Sequence, residues 1–284
     1  MFSNLFSAIE TLLSKNLIAE EYRWLQQAIS AITEEKTARK LYLNYSLSGA
    51  KIQKGKLVDF TGANEQLQDY LSKQQANTVE LARIYMLLAA LESDGSFKDA
   101  VKNLIQIADK SELETFLKYL TFLPNPKYYQ FAAVEALRTN ISTVFEAITK
   151  YNPYPAAFFT DQQWNQMYLK AAFMQLDLST IEKIDERANA DLARIISDYA
   201  HERWAASREI DPYFWRPISN FIDDNLAVDI KRLFESTNRY ENYAAALVCY
   251  YSKLPIAKEL LTNYPTLKVQ IEEGTLTWKT LKTR

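Results

Sequence analysis

The sequence predicts an all-α protein, and three observations carry that expectation. In 284 residues there are only five glycines, too few for the turns that a sheet-containing chain of this size would need. The eight prolines fall at a few places and leave long segments whose apolar residues recur at three- and four-residue spacing. Alternation with a period of two is nearly absent. Helices of about a dozen residues with short connections predict an irregular array of antiparallel helical hairpins, HEAT-like or α-solenoid, with an orthogonal bundle as the alternative.

The elements follow in order. Phe2–Ser14 places Phe2, Leu5, Phe6, Ile9, Leu12 and Leu13 at helical spacing, and residues 20–32 and 34–47 continue the pattern. Ser48–Gly62 carries three of the five glycines with Lys51, Lys54 and Lys56, so it reads as an exposed loop. Val79–Leu91 is apolar almost all round (Leu81, Ile84, Tyr85, Met86, Leu87, Leu88, Leu91), which predicts a helix packed on most of its sides. Asp94-Gly95-Ser96 ends it. Residues 98–108 and 111–122 form the next pair, and Pro124-Asn125-Pro126 interrupts the chain before residues 128–140 and 144–150.

Pro153 and Pro155 cannot both continue a helix, so Asn152–Pro155 predicts a fixed corner. Thr160 with Gln163 three residues on is an N-cap signal for the helix that carries Trp164-Asn165-Gln166-Met167. Asp211-Pro212 opens a short helix bearing Trp215-Arg216, and Pro217 bends it. Residues 225–234, 240–251 and 255–262 read as the last helices, Ala244-Ala245-Ala246 allowing close approach. The expected division is an amino-terminal helical region, 1–122, and a second one, 123–284, packed as one continuous domain.

Composition excludes several functions. A net charge of −2 with no cluster of Lys and Arg leaves no electrostatic footprint for nucleic acid. Cys249, the lone cysteine, lies in the apolar run 244–251 with no basic neighbour to activate it, so a buried thiol is expected. The amino terminus lacks the Lys/Arg flank and cleavage site of a signal peptide, and no apolar stretch has bilayer-spanning length. A cytoplasmic protein is expected. One histidine, no Glu-x-x-His pair and no Gly-rich phosphate loop predict neither metal nor cofactor. Asp223-Asp224 has Ala227 where an aspartate-rich magnesium motif would continue.

The stretch 190–208 holds that histidine. On a helical wheel Leu192, Ile195, Ile196, Tyr199 and Ala200 make an apolar stripe, while Arg194, Asp198, His201, Glu202 and Arg208 lie opposite. Arg203 falls among the apolar residues. The expectation is that it is buried and bonded to a carboxylate or carbonyl outside its helix, Glu135 and Glu146 being the candidate partners. The polar stripe, with Asp198, His201, Glu202 and Arg208, is expected to face a cleft or partner surface bounded by Trp164-Asn165-Gln166 or Trp215-Arg216. There the tryptophans would supply apolar walls; Arg138, Arg187, Arg203 and Arg216 would clamp an anionic ligand or lock the helices through carboxylates, the second role being the one expected of Arg203.

Several motifs recur in a recognisable order: Glu135-Ala-Leu-Arg138-Thr-Asn140, Asn152-Pro-Tyr-Pro155, Trp164-Asn-Gln-Met167, Arg187-Ala-Asn189, Asp198-Tyr-Ala-His201-Glu-Arg-Trp-Ala205 with Arg208, and Trp215-Arg216. Together, over about residues 132–261, they resemble the EboA family. The resemblance implies a bacterial protein that handles a small metabolite bound for the periplasm. Its implied partners are other Ebo proteins, among them a UbiA-like membrane prenyltransferase, through which the chain would reach the inner membrane. A non-enzymatic carrier or adaptor is the function expected on this basis. The alternatives are an enzyme using His201, Asp198 and Glu202 as acid and base, and a ligand-free scaffold for a membrane-associated assembly.

Overall fold

The protein is seen here as a computed structural model that describes residues 4–281, so Phe2 lies outside the described residues. Every regular element among those residues is helical. The one strand-like contact there is an isolated antiparallel bridge between Leu57 and Asn77. The chain forms two compact units, Met1–Phe158 and Phe159–Arg284, divided just past the Asn152–Pro155 corner, whereas the sequence placed its junction at residue 122.

The amino-terminal unit begins with α1 (Leu5–Asn16), α2 (Ala19–Glu35), α3 (Ala38–Lys51), α4 (Glu65–Lys73) and α5 (Thr78–Ser93). Helix α5 is its axis: α1, α2 and α3 all pack on it, and every residue from Thr78 to Ala90 is buried. Asn77 starts it through a capping box, its side chain accepting from Glu80 N while Glu80 reaches back to Asn77 N. The Lys-rich loop between α3 and α4 is tied down at Asn16, whose amide donates to Asp59 O at 3.0 Å and whose oxygen accepts from Asp59 N at 2.8 Å.

Two charges inside α5 join it to its neighbours. Arg83 is only 3% exposed; its Nε donates to Ser48 Oγ on α3 at 3.0 Å, and its Nη1 donates to Ser111 Oγ at 3.1 Å. Glu112 stands 3.9 Å from its Nη2. Glu80 accepts from Lys118 Nζ at 2.8 Å and from the Tyr119 hydroxyl at 3.0 Å. These bonds supply the partners that buried charge requires. The unit continues through α6 (Phe97–Lys102), α7 (Leu104–Ile107), α8 (Lys110–Lys118), α9 (Gln130–Ala136), α10 (Ser142–Thr149) and α11 (Tyr154–Phe158). Buried Asn152 holds the corner before α11, donating to Leu117 O and Ala147 O and accepting from Tyr154 N.

The carboxy-terminal unit comprises α12 (Asp161–Phe173), α13 (Ala190–Ala205), a 3₁₀ segment Pro212–Asn220, α14 (Asp224–Glu235), α15 (Arg239–Tyr251), α16 (Pro255–Thr262) and α17 (Pro265–Glu272). Its axis is α15. The 3₁₀ segment, α14, α16 and α17 pack on it, and Ala244–Cys249 is wholly buried because three successive alanines admit close neighbours. In each unit the helices gather around one buried helix, the arrangement of the bundle alternative. The histidine-bearing helix, α13, packs to the side, against α12 and the 3₁₀ segment.

Candidate functional site

The rotation of α13 is set at its first turn. Asn189 caps it by accepting from Leu192 N at 2.9 Å, and the same side chain makes a reciprocal amide pair with Asn165 of α12, at 3.0 and 2.9 Å. Arg187 strengthens the joint, donating to Phe159 O at 2.9 Å and to Asp161 at 3.1 Å while lying over the Trp164 ring. Leu192, Ala193, Ile196 and Ala200 are buried by this orientation. Tyr199 meets Phe214 of the 3₁₀ segment edge-on at 5.3 Å, and Trp204 stacks on Trp215 at 5.6 Å.

Beside the Tyr199–Arg203 edge of α13 opens a cavity of about 450 Å³, within the size range of small-molecule sites. Its apolar walls are Tyr199, Phe214, Ala172, Leu176, Ile210, Pro212 and Leu281. Its polar lining is Gln175 and Asp177 after α12, Arg203 on α13, Glu209 and Asp211 on the link to the 3₁₀ segment, and Asn238 and Tyr240 at the start of α15. Ser207 makes this link possible by taking a left-handed conformation, φ 54°. The chain then turns back, so that Glu209 O accepts from Arg203 Nε at 3.1 Å and from Nη2 at 2.6 Å. Arg203 therefore keeps Nη1 for another acceptor. Asp211 accepts from Tyr213 N at 2.9 Å; burial, with the charge of Asp177 added, pushes its carboxyl up to about 6.

Arg203 thus bonds a carbonyl outside its helix, as expected, and differs from expectation in its burial and in the two carboxylates named for it. It is half-buried at the cavity rim, and a carbonyl outside its helix satisfies it, so no carboxylate is required. Glu135 and Glu146 pair instead with Arg138 and Lys150, at 3.0 and 3.1 Å.

Apart from Arg203, none of the residues singled out in the sequence for a cleft lines this cavity. Tyr199 and Arg203 are one turn apart on a shared face, whereas His201, two residues from each, points away from both. Asp198, Glu202, Arg208 and Gln166 are exposed, and Asp198 pairs with Arg194 at 2.9 Å. Trp164, Asn165 and Trp215 are buried; among the described residues the indole N–H of each tryptophan has no acceptor. Arg216 is held by Asp185 at 2.8 and 2.5 Å and by the Tyr213 hydroxyl. Arg138 belongs to the amino-terminal unit and is exposed.

His201 has a partner that the sequence did not reveal. Its ring, 60% exposed, bonds through Nε2 to Asp229 of α14 at 2.6 Å, and the Asp229 side chain is 2% exposed. Ser197 donates to the other Asp229 oxygen at 2.6 Å. The carboxylate thus stands between serine and histidine. In a nucleophilic triad the histidine stands between them, so the serine here is not activated. Arg232, over the Trp204 ring at 4.2 Å, completes a joint between α13 and α14. Asp229 interrupts the apolar face of Leu226, Ala227, Ile230 and Leu233, and that interruption was the available signal. The signal for the cavity was Arg203 itself, read with the acidic link after it.

Among the described residues no group of three or more His, Cys, Asp or Glu side chains is placed to hold a metal ion. No helix there is long and apolar enough to cross a membrane. No curated protein and no solved structure matches the chain. A family model does match, over residues 5–219, and its description is metabolite traffic protein EboA. The match begins well before residue 132 and ends before residue 261, so it takes in the quoted motifs from Glu135 to Arg216, nearly all of the amino-terminal unit and the cavity-lining residues as far as Phe214. On that match the chain belongs to the EboA family, described as metabolite traffic proteins.

Proposed function

We propose that the chain is a non-enzymatic carrier that holds a small metabolite in the cavity beside Tyr199 and Arg203. The cavity itself is the observation that carries this reading: it combines apolar walls with convergent polar groups, the make-up of small-molecule sites. The family's description as metabolite traffic supports it. In this reading the carrier works in the cytoplasm with the other Ebo proteins and delivers its load to the UbiA-like prenyltransferase at the inner membrane.

The exposed face of α13, with Asp198 and Glu202 around His201, and Arg208 beyond its end, is then the surface offered to a protein partner. An enzymatic reading has one observation in its favour, a cavity carboxyl that titrates near neutrality, and it rests on Asp211 rather than on His201. Extraction of the protein purified from its native host, followed by mass spectrometry, tests the carrier reading. One small molecule in near-stoichiometric amount and unaltered on incubation is expected; its conversion to product would favour the enzyme. Ligand-free protein would oppose both.

A further inference from the structure

The chain enters α9 through Pro124-Asn125-Pro126, the interruption already visible in the sequence. Asn125 takes a left-handed conformation, φ 51°, and the turn after it, Pro126–Tyr129, is 3₁₀. Tyr154 pins this turn by donating its hydroxyl to Pro126 O at 2.7 Å, and buried Tyr129 meets Phe116 edge-on at 6.1 Å. Helix α9 then inverts the usual pattern: it buries Ala132, Ala133 and Ala136 and leaves its largest apolar side chain, Phe131, 60% exposed. Tyr128, also exposed, stands edge-on to Tyr129 at 5.5 Å and donates its hydroxyl to Asp99 of α6.

Lysines surround these two rings. Lys102 Nζ lies over both, 5.3 Å from the centre of Tyr128 and 5.7 Å from that of Phe131, and Lys98 Nζ lies 5.5 Å over Tyr128. Lys127 is exposed beside Tyr128 in the chain, and exposed Ile107 ends α7, which packs against α9. The three lysines come from separate segments, so no local run of charge announces them. Among the described residues none of the three is in an ion pair. The neighbouring acids are engaged elsewhere: Asp99 by the Tyr128 hydroxyl, Asp109 as the cap of α8, accepting from Glu112 N at 2.8 Å, and Glu135 by Arg138 at 3.0 Å. Protein interfaces are enriched in arginine and depleted in lysine. Exposed aromatic rings among lysines, whose apolar stems lie along them while the ammonium groups reach outward, are instead the make-up of a membrane interface.

We propose that this patch of the amino-terminal unit docks the protein directly on an anionic lipid bilayer, with the Phe131 and Tyr128 rings in the headgroup boundary and Lys98, Lys102 and Lys127 on the lipid phosphates. Such docking needs neither a bound metabolite nor a partner protein, so it stands apart from the carrier reading. It is peripheral and reversible: the lysines supply an attraction that salt screens, and the rings add apolar contact that salt does not remove.

Cosedimentation of the full chain with extruded vesicles tests the proposal. Vesicles of phosphatidylcholine with about one-third phosphatidylglycerol should carry the protein down, vesicles of phosphatidylcholine alone should not, and raising NaCl from about 0.1 to about 0.5 M should weaken the binding at least tenfold. Phe131→Ser should weaken binding to the anionic vesicles about tenfold, and Lys98→Gln, Lys102→Gln and Lys127→Gln combined about a hundredfold. All four side chains stand at the surface, so both variants should keep the helical circular dichroism of the wild type; should Phe131→Ser fail to fold, the lysine variant decides alone. Phe173→Ser, which removes a phenylalanine 70% exposed in the carboxy-terminal unit, should change nothing. No binding to either vesicle, equal binding to both, or anionic-vesicle binding indifferent to the two patch variants would overturn the proposal. Capture by polyglutamate that the lysine variant loses, without vesicle binding, would also overturn it and assign the patch to an acidic protein.

Discussion

Replacing Asp211 by asparagine should make the protein more stable at neutral pH and leave it unchanged in acid. The folded carboxyl titrates near 6, against 3.8 for the exposed group, so the fold favours its protonated form. Its contribution is fully present below the unfolded value and is lost as the pH rises through about 6. The difference of about 2 pH units corresponds to about 3 kcal/mol by which the ionised carboxylate strains the fold above that pH. Asp211→Asn cannot ionise and still accepts from Tyr213 N, so it should recover about 2–3 kcal/mol at pH 7.5, roughly 5–10 °C in melting temperature. Thermal unfolding followed by circular dichroism at pH 4 and pH 7.5 measures this directly. Equal melting differences at the two pH values, or a less stable variant at pH 7.5, would refute the reasoning. A stabilising substitution inside a cavity is the signature of a group kept for binding rather than for folding.

Other outcomes follow from the same geometry. Arg83→Ala should destabilise by roughly 3–5 kcal/mol in urea titration, because it leaves Glu112 buried with no cation and removes the bonds to Ser48 and Ser111. Arg203→Ala should cost only about 1–2 kcal/mol, since the guanidinium is half-buried and bonds one carbonyl; a loss as large as that of Arg83→Ala would place it in the core after all. Cys249, whose thiol burial pushes up to about 12, should resist alkylation at pH 8 in the native protein and react on unfolding.

Much of the fold was legible in the sequence because helical periodicity and the shortage of glycine act locally. Thr160 and Asn152 behave as their neighbours predict: Thr160 accepts from Gln163 N, and Asn152 sits at a fixed corner. Helix α5 is buried all round, as its apolar circumference implies. The site was harder to read, for three physical reasons. A pattern-breaking charge signals that a partner exists without identifying it. At Arg203 the partner is a carbonyl returned by a turn at Ser207, whereas at Arg83, passed over in an otherwise apolar helix, it is a set of hydroxyls and a carboxylate on other helices. A polar stripe does not say whether it faces ligand or water, and the His201 side of α13 is two residues round from the cavity. Asp211 acquires its character chiefly from burial, with the charge of Asp177, more than thirty positions earlier, added to it, and no local pattern contains either.

The central claim is that the cavity beside Tyr199 and Arg203 holds a molecule. Native mass spectrometry of wild-type protein and of Ala172→Phe, whose added ring would project from the lining of that cavity, tests it most directly. The account predicts a bound mass on the wild type that is missing from an equally folded Ala172→Phe protein. The same bound mass on both proteins, or none on the wild type purified from its native host, would contradict it.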